Sequence, residues 1–254
     1  MGNYNGLDGS PLRTEYDNIE KIGGTNDDAK DKTTKQMQMY YHKQEVKAFS
    51  DLIKKMHLVE FESIIDLGCS TGAWYKAFKS LGFKKIIGID ISKTRTELAK
   101  QRGYDEVHVC SGYNLPFKDH SQNCIIINDV LVHVLQDSDK LKIFNEVKRV
   151  LKPYGIVILN FANAPGFGVD HDVDMGTCER FNTLHTITNL ISESGLELQY
   201  IEPSYYALPL KGASPYFVNI SSKLLFPFID SILKKSRRKY FAKVIYVGAR
   251  YIHD

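Results

Sequence analysis

Two carboxylates and the small residues between them carry the first chemistry legible in this chain. Asp66 follows the apolar pair Ile64-Ile65 and opens Asp66-Leu67-Gly68-Cys69-Ser70-Thr71-Gly72. Asp90 ends the next apolar run, Ile86-Ile87-Gly88-Ile89, roughly twenty residues on, the spacing of a nucleoside-binding strand pair. A short apolar run bounded by glycines suits a buried strand, and glycines in the following turn let backbone approach a ligand closely. An acid at the end of the second strand can accept hydrogen bonds from both hydroxyls of a ribose. The spacing also separates two cofactor classes. A pyrophosphate held on a helix N-terminus requires G-x-G-x-x-G, whereas this turn reads D-x-G-x-x-x-G. Asp66 would repel a pyrophosphate and suits a ligand that carries an ammonium group. Asp66, Gly68, Cys69, Ser70, Thr71, Gly72, Asp90 and Ile91 are therefore the candidate residues for binding a nucleoside cofactor.

Further segments follow in a consistent order. Val107-His108-Val109-Cys110 reads as a third strand and leads into Ser111-Gly112-Tyr113-Asn114-Leu115-Pro116-Phe117. Cys124-Ile125-Ile126-Ile127-Asn128 reads as a fourth buried strand, ending in Asn128-Asp129-Val130. Val147-Lys148-Arg149-Val150-Leu151-Lys152-Pro153-Tyr154-Gly155 ends a helix and turns into the strand Ile156-Val157-Ile158-Leu159. From about residue 60 to 165 this order resembles the class I S-adenosylmethionine (SAM)-dependent methyltransferases, of the type 11-like domain. Their first motif is D/E-x-G-x-G-x-G, and Ser70 replaces its middle glycine, which narrows the turn's freedom without removing the cradle. SAM, the cofactor the resemblance implies, has an amino group, a sulfonium and no phosphate. The resemblance also aligns Ser111 with an acid that meets the adenine amino group, and Gly112 with the residue whose backbone N–H meets a ring nitrogen. A serine accepts that hydrogen bond more weakly than a carboxylate would. Asn128, Asp129 and Val130 would lie beneath the cofactor.

The elements that must position these residues alternate strand and helix, which argues for a mostly parallel sheet covered on both faces. A helix is expected from about Gln38 to Met56, with Tyr41, Val46, Phe49, Leu52 and Ile53 on one face. Others are expected at about 73 to 80, 93 to 102, 138 to 151 and 184 to 194, the last closed by Gly195. Strand-like runs at 196–202 and 243–252 would, on the resemblance, form the antiparallel hairpin that completes a seven-stranded sheet. The fold class is thus α/β, Rossmann-like, with the last strand antiparallel. The chain reads as a single domain (37–254) with an N-terminal extension (1–36), poor in pattern and expected to be flexible, and an insertion before the last strand.

Composition bounds the rest. The chain has 254 residues, 43% hydrophobic and 25% charged, enough for one substantial core. A formal net charge of +3 does not by itself argue for nucleic-acid binding. Cys69, Cys110, Cys124 and Cys178 form no C-x-x-C pair, which fits reduced thiols in a cytoplasm. No apolar run approaches the roughly eighteen residues that span a bilayer, and the N-terminus lacks a signal-peptide core. Met1-Gly2 begins like a myristoylation site, but Gly6 stands where Ser or Thr is required. A cytoplasmic location, with contact at a membrane surface as a variant, is the expectation.

Two elaborations, 163–183 and 208–240, should meet the acceptor, because open α/β sheets bind ligands beyond the carboxyl ends of their strands. The first holds Gly166, Gly168, Asp170, His171, Asp172 and Asp174; its glycines permit motion, and a solvated lid is preferred to a metal site. In the second, Leu224, Leu225, Phe228, Ile229, Ile232 and Leu233 recur at helical spacing and Lys234, Lys235, Arg237, Arg238 and Lys239 follow. Two accounts stay open: a helix packed over the acceptor pocket with cations at its C-terminus, or peripheral contact of 221–239 with an anionic membrane or a lipid-linked substrate.

Methyl transfer is an in-line displacement. Orientation can supply an effective molarity of about 10⁵ to 10⁸ M, and a positioned base about 10² to 10⁴-fold. His133 and His171 are the candidate bases. Some quinone-pathway methyltransferases carry E-x-x-E-H near this point and use a metal, but the corresponding Asp129, Val132 and His133 lack one carboxylate, so no metal is assigned. Asn128-Asp129-Val130-Leu131 also differs from the N-P-P-Y type used on base amines. The reading is SAM-dependent methyl transfer, at oxygen, to a small-molecule acceptor that is glycosyl or lipid-linked in one version. Nucleic acid ranks lower. An RNA-directed methyltransferase and a noncatalytic SAM-binding module working through a protein partner are the alternatives, and the oligomeric state is left open.

Overall fold

Short β-branched runs between turn residues become the centre of a sheet: β1 (Ser63–Leu67), β2 (Lys85–Asp90), β3 (Glu106–Val109), β4 (Gln122–Ile127) and β5 (Leu151–Ala162). The computed structural model describes residues 32–58, 61–175, 179–205, 228, 232, 233 and 242–252, with side chains from residue 38 onward. Helix α1 (Lys32–Lys55) precedes β1, and α2 (Tyr75–Leu81), α3 (Lys93–Arg102), α4 (Asp137–Val150) and α5 (Leu184–Glu193) follow in turn. A small hairpin, β6 (Val173–Asp174) with β7 (Arg180–Phe181), precedes α5; β8 (Glu197–Tyr205) and β9 (Val244–Arg250) complete the sheet. The order is β3-β2-β1-β4-β5-β9-β8. Ile65 pairs in parallel with Ile87 on one side and Ile125 on the other. β9 runs antiparallel to both neighbours, Val247 facing Leu159 and Ile201. The chain reverses its direction of winding between β1 and β4, and it is beyond the carboxyl ends of these two strands that a ligand crevice forms.

Strand alternation divides the core into two layers. Ile65, Ile125, Val157 and Val247 face Phe144, Val147, Ile187 and Ile191 of α4 and α5. Ile64, Ile126, Ile158 and Tyr246 face Phe49, Leu52 and Phe78 of α1 and α2. Both faces of the central strands are buried, as a parallel sheet requires. The apolar stripe of α1 (Ala48, Phe49, Leu52, Ile53, then Met56) lies on the sheet, and Arg250 donates to the Met56 carbonyl (2.5 Å) at the amino edge. The N-terminal half of α1 consequently reaches the carboxyl edge, where Tyr41 stacks on Tyr205 with ring centroids 4.3 Å apart.

Among the described residues the expected elements are present, most with shifted ends. α1 begins at Lys32, before the expected Gln38, and α3 spans the expected residues. The predicted turn at Lys152–Gly155 is a bulge inside β5: the register passes from Gln122↔Leu151 to Cys124↔Ile156, with Tyr154 at φ 65°. In the 163–183 region, Gly166 allows close packing in place of motion, since a Cβ there would lie 2.4 Å from the Ala242 carbonyl oxygen. Asp172 accepts from the Thr183 N–H (2.6 Å) and faces Arg180 (3.3 Å), so it pins the loop to the start of α5. Residues 1–31, Cys178 and nearly all of 208–240, including the basic cluster, lie outside the described residues. Among the described residues no helix is long and apolar enough to cross a membrane.

Candidate active site

The turn after β1 is held by the neighbouring strand. The backbone N–H groups of Gly68 (2.7 Å) and Cys69 (2.9 Å) both donate to the Ile89 carbonyl. Gly68 and Gly72 have φ of 85° and 82°, and a Cβ on Gly68 would stand 2.2 Å from Val130 Cγ2. Only glycine fits both demands at Gly68, left-handed backbone and contact with the segment after β4. Ser70 is also left-handed, at φ 47°. Its Oγ accepts from Arg95 Nη1 (2.9 Å), a contact with the first turn of α3 that no glycine could make. Cys69 turns its buried side chain inward against Gly88, so only its backbone can serve a ligand; Thr71 is half-buried.

The two carboxylates are held differently. Asp66 is buried and accepts from the Tyr104 hydroxyl (2.6 Å); burial pushes its pKa up to about 7, against that hydrogen bond. Asp90 accepts from the backbone N–H groups of Ser70 (2.9 Å) and Ser92 (2.9 Å), one on each oxygen. Burial raises its pKa, while the Ser92, Ser70 and Ile91 N–H groups and the Arg95 charge oppose the rise. A carboxylate offers about four acceptor directions, so with three N–H donors Asp90 keeps one for a ribose hydroxyl. Ile91 is half-buried beside it. Ser111 and Gly112 lie in the loop after β3, whose Cys110 N–H donates to the Asp90 carbonyl (3.1 Å). Ser111 Oγ accepts from the Tyr113 N–H (3.3 Å). The loop is fixed from α4: Glu146 accepts from the Leu115 N–H (2.8 Å), and Arg149 donates to the carbonyls of Phe117 (2.9 Å) and Leu115 (3.1 Å).

Beyond β4 the chain turns sharply at Asp129, whose φ is 55°. Asn160 holds that turn, accepting from the Asp129 N–H (2.7 Å) and donating to its carboxylate (2.9 Å). Tyr246 on β9 donates to Asn128, and Asn128 donates to Asp129 (3.0 Å). A left-handed aspartate fixed by side chains from two other strands is the kind of imposed geometry that collects at functional sites. Asp129 is open to solvent on one side and enclosed by protein on the others. The enclosure raises its pKa, opposed first by the Asn160 hydrogen bond and then by the charges of His133 and His42.

His42, Glu45 and Tyr41 come to this point from α1, and Tyr205 from β8. The His42 ring meets Trp74 edge-on at 5.3 Å, two residues past Gly72, and feels the charge of Asp129. Burial lowers its pKa, which keeps the imidazole neutral near pH 7. Glu45 is buried, and burial together with Asp129 raises its pKa. The structure thus gathers one predicted base, His133, beside Asp129. The other, His171, pairs with Asp170 (2.9 Å) on the surface, 74% exposed, so it is not part of this cluster. Among the described residues no group of three metal-ligating side chains stands together. His42, Glu45, Asn160, Tyr205 and Tyr246 were missed by sequence reasoning. One signal existed: the buried stripe of α1 turns from apolar to polar at Gln44 and Glu45, where it leaves the sheet for the crevice.

Comparison with known proteins meets the same division. A family model described as a methyltransferase domain matches residues 65–159. A Bos taurus protein named "Probable tRNA methyltransferase 9B" is 33% identical over 96 residues, 38% of this chain and 20% of that one. The demethylmenaquinone methyltransferase of Staphylococcus haemolyticus is 31% identical over 113 residues, 42% of this chain and 46% of that one. The chain spans less than half the length of these curated relatives. In fold, it is similar to the methyltransferase in complex with the Haloferax volcanii Trm112 methyltransferase activator: TM-score 0.59 at 14% identity, covering 96% of this chain and 98% of that one.

Proposed function

Residues 65–159 are a class I SAM-dependent methyltransferase domain with SAM as cofactor, and from that premise we propose that the protein transfers a methyl group to a hydroxyl of a small acceptor bound beside Asp129. The chain's residues fit the cofactor. The left-handed backbone at Gly68 and Gly72 suits a turn that meets a ligand with main chain, and Asp90 keeps an acceptor direction for a ribose hydroxyl. Asp66 would face the amino group, Gly68–Gly72 the methionyl part, Asp90 the ribose, and Ser111 and Gly112 the adenine. Bound SAM supplies a methyl group on a positively charged sulfonium.

The observation that supports transfer to oxygen is His42, which meets Trp74 edge-on, feels the charge of Asp129 and is kept neutral near pH 7 by burial. An alcohol must lose its proton as its oxygen gains the methyl group, and a neutral imidazole can take that proton. Asp129 then stabilises the imidazolium, and Asn160 and Tyr246 keep Asp129 in place. His133, whose charge also acts on Asp129, is the alternative proton acceptor.

A second reading, RNA as acceptor, is favoured by the name of one relative. Incubating the chain with methyl-labelled SAM and extracts fractionated into polar metabolites, lipids, RNA and protein tests both. Label in polar metabolites is the expected result. Label in lipids selects the lipid-linked acceptor and membrane contact through 221–239; label in RNA selects the second reading. Bound SAM with no transfer to any fraction would overturn catalysis in favour of a noncatalytic module.

A further inference from the structure

Glu45 poses a problem that the transfer reaction does not use. Its side chain is buried, 8% exposed, in the half of α1 that reaches over the crevice. Among the described residues no side chain or backbone group hydrogen-bonds it, and no lysine or arginine pairs with it. Buried carboxyl groups almost always have a partner, because an unpartnered one forfeits its hydration. What faces Glu45 is Asp129, Tyr205 and Tyr246, all close enough for their charges to act on one another. Tyr246 is already committed to Asn128 and Asn160. Tyr41, one helical turn before Glu45 on α1, stacks on Tyr205 at an interplanar angle of 19°, and Tyr205 is near enough to feel the Glu45 charge, so the two rings form an aromatic wall.

Two carboxyl groups and an aromatic wall make an acidic site at which, among the described residues, no lysine or arginine stands beside Glu45; a bound cation would favour the ionised form of both acids. A positively charged nitrogen would supply what is missing: a charge between the carboxyl groups and a cation against the tyrosine rings. We propose that Glu45, with Tyr41 and Tyr205, is an ammonium-binding subsite, so that the acceptor carries a cationic nitrogen near the hydroxyl to be methylated, as an amino alcohol or amino sugar does. The inference rests on the reading that the acceptor binds beside Asp129. A neutral polyol could also donate to Glu45 but would gain nothing from the tyrosine rings or from ionising the two acids.

The test reads binding alone, so it is separate from transfer. The chain, saturated with S-adenosylhomocysteine at pH 8, is titrated with choline and with its neutral carbon isostere, 3,3-dimethylbutan-1-ol. Choline should bind at least about tenfold more tightly, the range of a desolvated cation against an aromatic and a carboxylate. In Glu45→Gln the difference should fall below threefold while S-adenosylhomocysteine affinity is unchanged. Tyr205→Leu, which leaves Glu45 in place, should weaken choline and spare the isostere. Equal affinities in the unaltered chain, no saturable choline binding, or an undiminished preference in Glu45→Gln would each overturn the subsite. Failure of methyl transfer with choline preference intact would instead count against the transfer reading alone.

Discussion

Around Asp90 the chain holds a carboxylate with its own backbone; around Asp129 it holds one with side chains drawn from other strands. Asp90 is fixed by N–H groups at Ser92 and Ser70, two and twenty residues away. Asp129 depends on Asn160, thirty-one residues on, and through Asn128 on Tyr246, which lies 118 residues beyond that asparagine. The first arrangement can be rebuilt by any sequence that keeps the turn. The second needs the whole sheet closed, with β9 inserted between β5 and β8. The family match ends at residue 159, so His42, Glu45, Asn160, Tyr205 and Tyr246 all fall outside it. The family match thus holds the proposed cofactor side together with Asp129, while the residues that surround Asp129 from α1, β8 and β9 lie outside it.

That contrast can be broken by substitutions that should affect one half and spare the other. The largest effect is expected at His42. With an acceptor found by the labelling experiment, His42→Ala should lower turnover by about 10² to 10⁴-fold, the usual contribution of a positioned base. SAM affinity should stay within about threefold, since no cofactor contact is removed. Because burial holds the His42 pKa below its ordinary value, more than half of it is in the proton-accepting form once pH reaches that value. The acid limb of the turnover profile should therefore have its midpoint below 6.5, the ordinary imidazole value. A normal rate in His42→Ala together with a collapsed rate in His133→Ala would transfer the role to His133. Next in size is Asp90→Ala, which should weaken SAM by roughly 1.5 to 3 kcal/mol, one charged hydrogen bond, or about tenfold to 150-fold in Kd. Unchanged affinity in a direct titration would show that Asp90 does not hold the ribose.

Asp66 sharpens the comparison through protons. Its folded pKa of about 7 stands well above the ordinary 3.8. In the apoprotein the folded state keeps a proton that the unfolded state loses, so this group's contribution to stability falls as pH rises from about 4 to about 7. A cationic amino group against Asp66 would return it to the ionised form. SAM binding at pH 6 should accordingly release about one proton, read by calorimetry in buffers of different ionisation enthalpy. Asp66→Asn should release none. A proton count that Asp66→Asn leaves unchanged would place the amino group elsewhere.

The same division decides what the sequence could reveal. The strands were legible because β-branched runs such as Ile125-Ile126-Ile127 carry their own signal, and the turn because Gly68 and Gly72 mark left-handed backbone. Asp66 and Asp90 were legible because both stand at strand ends at a fixed spacing. His42 and Glu45 were not, because on one helix they resemble any polar residues beside a core stripe; their meaning depends on Asp129, more than eighty positions later. His171 shows the converse. It sits in a loop rich in chemistry-bearing residues, yet Asp172 is used to anchor α5 and His171 is left facing solvent with Asp170. Local density of reactive side chains says little about where the fold sends them.

The smallest effect is expected where this chain departs from the family's motif. Ser70 occupies a glycine position with left-handed backbone, φ 47°, which costs a side-chain-bearing residue about 1 kcal/mol. Against that stands the Arg95 hydrogen bond to its Oγ, half-buried and worth about 1 kcal/mol after solvent screening. Ser70→Gly removes both, so stability and SAM affinity should each change by less than about 1 kcal/mol. Arg95→Ala removes the hydrogen bond without relieving the backbone, and it also takes away a positive charge that favours ionised Asp90. It should therefore weaken SAM more than Ser70→Gly does. If Ser70→Gly proves the more damaging of the two, the serine side chain itself reaches the cofactor, and the backbone-built half of the site would contain one side chain that matters.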